Sequence, residues 1–105
     1  MPMPQLTADD RADALAKALR NRKARKLVKE NLKLGVCTVA EVIKDAETSQ
    51  VTANMRVTDM LEAMPGVGKV KAAQIMERLG ISESRRVGGL GPRQKAALKR
   101  EFPTD

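Results

Sequence analysis

The stretch from Ala8 to Leu34 contains neither glycine nor proline and consists mostly of Ala, Leu, Lys and Arg, the strongest helix formers. Thr7 and Asp10 have the spacing of an N-terminal cap, and Gly35 marks the end. An unbroken helix of this length extends roughly 40 Å. A compact body of about 100 residues is only about 30 Å across. The sequence therefore predicts a first helix that partly projects from the rest of the protein.

The same segment holds most of the positive charge. The formal net charge is +7; residues 1–35 carry nine basic and four acidic side chains, and residues 36–105 carry eleven and nine. Five of these cations fall within a helical arc of about 100°, and we call them the basic stripe: Arg22, Arg25, Lys26, Lys29 and Lys33. We predict that the basic stripe contacts phosphates; a merely solvated face is the alternative. The predicted packing edge lies opposite and consists of Ala24, Leu27, Asn31 and Leu34.

The rest of the chain has the pattern of short helices. The sequence Thr38-Val39-Ala40-Glu41 is a capping box that opens a helix to about Glu47. Residues 48–54 are predicted to form a loop, and helices are expected over 57–64, 69–79 and 92–102. In the helix over 69–79, the side chains expected to face the core are Val70, Ala73 and either Ile75 or Met76.

No segment shows the alternation of a strand, so the predicted fold class is all-α. We expect a long N-terminal helix and a compact bundle of four or five short helices. Residues 1–105 are predicted to form a single domain, with the basic helix in 1–35 and the compact body in 36–105.

The most informative motif is Met-Pro-Gly-Val-Gly-Lys-Val-Lys at residues 64–71, which resembles the helix-hairpin-helix signature. The proline ends one helix, and the two glycines permit positive φ and leave the backbone amides uncovered. Val67 is expected to anchor the turn in the core. The free N–H groups that open the next helix attract anions. We predict phosphate binding here, against a purely structural turn, by Met64, Pro65, Gly66, Val67, Gly68, Lys69, Val70 and Lys71.

A second glycine-rich segment, residues 82–94, places two arginines between two turns. Arg85 and Arg86 are the expected ligands of phosphates or of the minor groove, because the planar guanidinium suits both. An exposed flexible linker is the alternative. The predicted contact residues are Ser82, Ser84, Arg85, Arg86, Gly89, Gly91, Arg93 and Gln94.

Composition narrows the classes of function. The chain has no histidine, and Cys37 is its only cysteine, which excludes a Cys/His zinc cage and removes the commonest general base. We therefore expect no metal, no cofactor, no small-molecule substrate and no enzyme activity. No apolar run suits a membrane span.

Phe102 is the only aromatic residue, and single-stranded nucleic acid is bound largely by aromatic stacking. Duplex DNA held by its backbone is the expected partner.

Residues 4–18, PQLTADDRADALAKA, and residues 55–91, MRVTDMLEAMPGVGKVKAAQIMERLGISESRRVGGLG, closely resemble the actinobacterial integration host factor family. The resemblance covers nearly the whole chain but is weaker over residues 35–54. It implies a helix-two-turns-helix element, a lid on DNA formed by residues 64–71, and a second DNA contact formed by residues 82–94. Gly88 stands where relatives often have an arginine, which weakens that second contact.

The resemblance also implies a nucleoid-associated protein that binds duplex DNA with little sequence preference, bends or compacts it, and assists site-specific recombination. We expect a cytoplasmic monomer. A structured-RNA or ribosome-binding protein is the alternative, because a related hairpin occurs in a small-subunit ribosomal protein. A glycosylase that uses Pro2 as its nucleophile is the enzyme alternative, for which the chain lacks a catalytic domain.

Overall fold

The computed structural model describes residues 8–103, which form six α-helices. They are α1 (Ala8–Lys33), α2 (Val39–Asp45), α3 (Gln50–Ala53), α4 (Val57–Glu62), α5 (Gly68–Leu79) and α6 (Pro92–Glu101). A 3-10 turn at Val87–Gly89 precedes α6. Within the described range, the β-structure is limited to one antiparallel bridge between Arg56 and Arg86. The predicted all-α fold is confirmed.

The first half of α1 projects from the body, as the sequence predicts. From Asp9 to Arg20 every side chain is exposed except the half-buried Ala16, and the described chain measures 48 × 31 × 26 Å. The second half packs on α3 and α4, where Leu32 is fully buried. The cap predicted at Thr7 lies outside the described residues.

The predicted packing edge of α1 is wrong at Leu27 and Leu34, whereas Ala24 and Asn31 are half-buried. Leu27 and Leu34 are 57% and 75% exposed. The helix packs instead through Val28 and Leu32, about 100° around its axis from the predicted edge. Leucine and alanine occur on all sides of α1, so the apolar pattern did not identify the buried face. Arg25 lies where this face meets the basic stripe and is half-buried.

The core consists of buried aliphatic and methionine side chains from α1 through α6. In α5 the predicted Ile75 and Met76 are buried, together with Ala72. The inward orientation predicted for Val70 and Ala73 is wrong, because Val70 is 74% exposed and Ala73 is exposed. Ala72 sets the buried face of α5, and Val70 lies about 160° away from it.

The loop predicted over residues 48–54 contains the one-turn helix α3, so this prediction is wrong. Ser49 caps the turn, since its Oγ accepts a hydrogen bond from the Thr52 N–H at 3.3 Å. The buried Thr52 donates its hydroxyl proton to Asp45 Oδ2 at 2.6 Å. These two bonds order the segment and end α2 at Asp45 rather than near Glu47.

The cap of α2 follows the prediction. The Glu41 N–H donates to Thr38 Oγ1 at 3.1 Å.

No helix among residues 8–103 is long and apolar enough to cross a membrane. In the same range, no group of three or more acidic or cysteine side chains is arranged to hold a metal ion.

Candidate nucleic-acid interface

The segment between α4 and α5 is a tight hairpin, as its sequence predicts. Gly66 and Gly68 have φ angles of 77° and 67°, values that residues with a Cβ rarely adopt. Val67 lies between them and is only 8% exposed. Its N–H donates to the carbonyl of Met64 at 3.1 Å. The predicted positive φ angles and the predicted anchoring of Val67 in the core are both confirmed.

The hairpin leaves the start of α5 open. No side chain caps this helix. Among the described residues, no acceptor takes the N–H groups of Lys69 and Val70. Unpaired amides at a helix N-terminus carry partial positive charge and attract anions. The side chains of Lys69 and Lys71 are exposed beside them. This end of α5 therefore has both the charge and the open backbone that a phosphate requires.

The basic stripe faces the hairpin across an open cleft of about 660 Å³. Lys26, Lys29 and Lys33 line one wall, and residues 64–68 line the other. Arg22 is exposed one helical turn closer to the N-terminus of α1 than Lys26 and does not line the cleft. The fold thus brings together two groups of predicted contact residues that are separated by about thirty positions in the chain.

The arginines of the second segment are held by backbone carbonyls. Arg85 Nη1 donates to the Gly89 carbonyl at 3.1 Å, and the Arg86 guanidinium donates to the carbonyl of Asn54. Both side chains are nonetheless exposed. A guanidinium has five N–H donors, so each retains several for an external anion. Ser82 and Ser84 also pair locally, with their Oγ atoms 3.1 Å apart.

Gln94 differs from the other predicted contact residues of this segment because both the oxygen and the nitrogen of its side-chain amide form hydrogen bonds within the protein. Its Oε1 accepts the Gly91 N–H at 3.0 Å, and its Nε2 donates to the Gly80 carbonyl at 3.2 Å. These bonds join the start of α6 to the end of α5. Arg93, next to it, is exposed. Gln94 therefore has a structural role that its sequence position did not indicate.

The bridge between residues 56 and 86 places Arg56 in this region, a residue that the sequence analysis missed. Arg56 and Arg86 line a second cleft together with Arg25 of α1. Asp59 lines both this cleft and the α1–hairpin cleft. The two clefts therefore adjoin each other at Asp59. No local motif marks Arg56, since its position depends on pairing with a segment thirty residues later.

Among residues 8–103, the cations on this face form no ion pair. Among residues 8–103 the one ion pair joins Arg78 Nη2 and Glu101 Oε1 at 2.5 Å. The hydrogen bond from Arg78 lowers the pKa of Glu101, and in turn the pKa of Arg78 is raised. For the candidate contact residues in that range, no carboxylate oxygen lies within 4 Å. The carboxylates of Glu30, Asp59 and Glu62 also line the α1–hairpin cleft, and the charge of Lys71 helps to lower the pKa of Glu101. None of the candidate cations in that range is bound directly to a carboxylate, however, so each can still bind an external polyanion.

Comparisons with known proteins match this architecture. A family model described as "S13-like H2TH domain" matches residues 32–102. The integration host factor of Streptomyces coelicolor is 54% identical over 102 residues, which cover 97% of this chain and 95% of that protein. The integration host factor of Mycobacterium tuberculosis is 49% identical, with coverage of 97% of each.

A solved structure, that of sIHF bound to an 8-base-pair palindromic DNA, is similar with a TM-score of 0.82 and 54% identity. The match covers 83% of this chain and 98% of the other. With matches over nearly the whole length in sequence and most of the length in structure, the chain belongs to the integration host factor family of Streptomyces and Mycobacterium.

Proposed function

We propose that this protein binds duplex DNA through its backbone phosphates, with little sequence preference, as an architectural protein of the nucleoid. The observation that carries the proposal is the pair of adjoining clefts, which are lined by cations of α1, by the backbone of the hairpin and by Arg56 and Arg86. Among the described residues, none of these cations forms an ion pair. The structural relative sIHF is itself bound to DNA, which supports the same partner for this chain.

The contact residues proposed are those predicted above, with roles assigned by position. Lys69, Lys71 and the open amides of α5 hold one run of phosphates. Arg85, Arg86 and Arg93 hold a neighbouring run. The basic stripe lies opposite the hairpin and extends the same surface along α1. We propose that residues 1–105 act as a single domain in which residues 1–35, which include α1, and the body of residues 36–105 share one DNA-binding face.

The position of the single aromatic residue favours duplex over single-stranded nucleic acid. Phe102 packs against the core and is half-buried. Proteins that bind single strands rely on exposed aromatic rings on which bases stack. The described part of the interface offers amides, ammonium groups and guanidinium groups, which are the usual donors to a duplex backbone.

The projecting helix supports a role in bending or compaction. The described chain is elongated, with extents of 48 × 31 × 26 Å, so a duplex that touches the body and continues along the projecting part of α1 would gain extra phosphate contacts. Bending a short duplex costs a few kcal/mol, which such contacts offset. We propose that the protein works as a monomer in the cytoplasmic nucleoid, performs no catalytic step and assists site-specific recombination by shaping DNA.

Fluorescence anisotropy with a labelled duplex of about 20 base pairs tests the binding. If the protein neutralises about six to eight phosphates, log K should fall with log salt at a slope of roughly −5 to −7. The variants Lys69→Ala and Arg85→Ala/Arg86→Ala should bind more weakly at every salt concentration. A flat salt dependence would refute backbone binding.

Two further measurements separate the alternatives. A duplex RNA of equal length should bind more weakly than the DNA; tighter RNA binding would instead favour a structured-RNA or ribosomal partner. Ligase-catalysed circularisation of short DNA fragments should be accelerated by the protein. Unchanged circularisation would contradict the bending proposal while leaving duplex binding intact.

A further inference from the structure

The bridge between α4 and the second segment places two arginines directly opposite each other. The Val57 N–H donates to the Arg85 carbonyl at 3.0 Å, and the Val87 N–H donates to the Met55 carbonyl at 2.8 Å. These bonds flank Arg56 and Arg86, which makes them a non-hydrogen-bonded antiparallel pair. In such a pair the Cα atoms are only about 4.5 Å apart. Like charges directly opposite destabilise the pairing.

A third arginine approaches the same place from a different element. Arg25 of α1 lines the cleft together with Arg56 and Arg86, and it is half-buried. The cleft has a volume of about 550 Å³, and its only carboxylate is Asp59. Among the described residues, none of the three arginines forms an ion pair. In the part of the chain that the structure describes, three cations thus line the cleft with one half-buried acid, Asp59.

The chemistry of the cleft suits one kind of ligand. Guanidinium groups form paired, charge-assisted hydrogen bonds to phosphate oxygens. Arg86 is oriented by its bond to the Asn54 carbonyl, which lies in the wall of the cleft. Because the cleft is open and adjoins the α1–hairpin cleft at Asp59, a long polyanion can pass through both.

We propose that Arg25, Arg56 and Arg86 together bind one backbone phosphate of duplex DNA, and that this contact joins the basic stripe to the arginine segment. The proposal rests on the DNA binding proposed above. It assigns a role to Arg56 and gives a function to the placement of two arginines opposite each other. In the complex, the negative charge of the phosphate offsets the repulsion between the Arg56 and Arg86 guanidinium groups.

The test uses the full chain, the labelled duplex and salt concentrations from about 50 to 200 mM. The variant Arg25→Gln/Arg56→Gln removes two cations but keeps Arg86 on its carbonyl. We expect binding about five- to tenfold weaker at the highest salt and a salt slope smaller in magnitude by about one to two. Lys99→Gln is the matched control: this exposed cation of α6 lines a cleft with α2, and its loss should change neither quantity.

Thermal stability separates a binding role from a structural one. Arg56→Gln removes a like-charge repulsion, so the melting temperature of the free protein should stay the same or rise while DNA binding weakens. Arg56→Lys should restore the salt slope. A lower melting temperature with Arg56→Gln would show that Arg56 supports the fold and would overturn the proposal. The proposal would also be overturned if Arg25→Gln/Arg56→Gln bound duplex DNA as Lys99→Gln does while the wild-type protein showed a steep salt slope. A wild-type protein with no duplex binding would instead refute the proposed function itself.

Discussion

Gly88 packs so closely against Ala53 that a Cβ added at residue 88 would lie 2.7 Å from the Ala53 Cβ and 3.1 Å from its carbonyl oxygen. The contact joins α3 to the 3-10 turn of the arginine segment. Neither atom is the end of a flexible side chain, so a side chain at residue 88 requires either a shift of the backbone or the loss of the Ala53 Cβ. An arginine at residue 88 therefore does not fit beside Ala53 without such a change.

The first prediction concerns this contact. Gly88→Arg should lower the free energy of unfolding by about 1–3 kcal/mol through overpacking. Ala53→Gly/Gly88→Arg should recover much of that loss and bind duplex DNA more tightly, with a salt slope steeper by about one. Urea denaturation and anisotropy measure the two effects. A single Gly88→Arg variant as stable as the wild type would contradict the steric explanation.

The second prediction concerns the hairpin. Gly68→Ala places a Cβ on a residue with φ of 67°, although no atom lies within 4 Å of the new methyl group. The cost is therefore conformational, on the order of 1–2 kcal/mol of unfolding free energy. Because the hairpin exposes the N–H groups at the start of α5, where we propose that a DNA phosphate binds, affinity for duplex DNA should also fall.

Gly35→Ala is the matched control for the hairpin. Gly35 has φ of 75° and equally open surroundings, but it lies at the end of α1. The two variants should lose similar stability, and only Gly68→Ala should change the affinity for duplex DNA. Equal losses of affinity would show that strain alone, rather than the hairpin geometry, explains the effect.

The third prediction compares two lysines of α1. Lys29 lines the α1–hairpin cleft, whereas Lys23 is exposed and lines neither cleft. Lys29→Gln should reduce the magnitude of the salt slope by about one, and Lys23→Gln should leave it unchanged. Anisotropy across a salt series measures both. Equal salt slopes for Lys29→Gln and Lys23→Gln would contradict the role proposed for the basic stripe.

The fourth prediction concerns Cys37. Burial, and to a lesser extent the carboxylates of Glu41 and Asp45, raise the pKa of its thiol. A raised pKa favours the neutral thiol, so the native protein should react with iodoacetamide only at higher pH than an unfolded cysteine does. Any stability that this shift contributes is present at low pH and is lost as the pH rises through the thiol pKa of the folded state.

The rate of alkylation against pH, measured with and without urea, tests this shift. Cys37→Ser should bind duplex DNA normally, because the thiol lines a separate cleft with Glu41 and Asp45. Identical pH profiles in the native and unfolded protein would contradict the prediction.

Sequence reasoning succeeded where structure follows from neighbouring residues. The hairpin angles at Gly66 and Gly68, the cap at Thr38 and the buried Val67 all depend on a few consecutive positions. The two candidate contact segments follow in the same way from their glycines and cations. Their residue-level roles remain predictions.

The errors occurred where distant segments determine the outcome. The buried face of α1 is set by α3 and α4 rather than by its own apolar pattern, and the ordering of α3 depends on Asp45 receiving the Thr52 hydroxyl. Arg56 reaches the interface only because its segment pairs with Arg86. Contacts of this kind leave no periodic signal in one sequence.

The projecting half of α1 has a consequence for exchange of its amide protons with solvent deuterium. Between Asp9 and Arg20 its side chains are exposed except for the half-buried Ala16, so its backbone hydrogen bonds should open by local fraying, whereas those near the buried Leu32 should open only with the core. Free protein should therefore exchange rapidly over residues 9–20 and slowly further along the same helix. A duplex that reaches this segment would slow the rapid half, and the length of the newly protected stretch would measure how far along α1 the DNA extends.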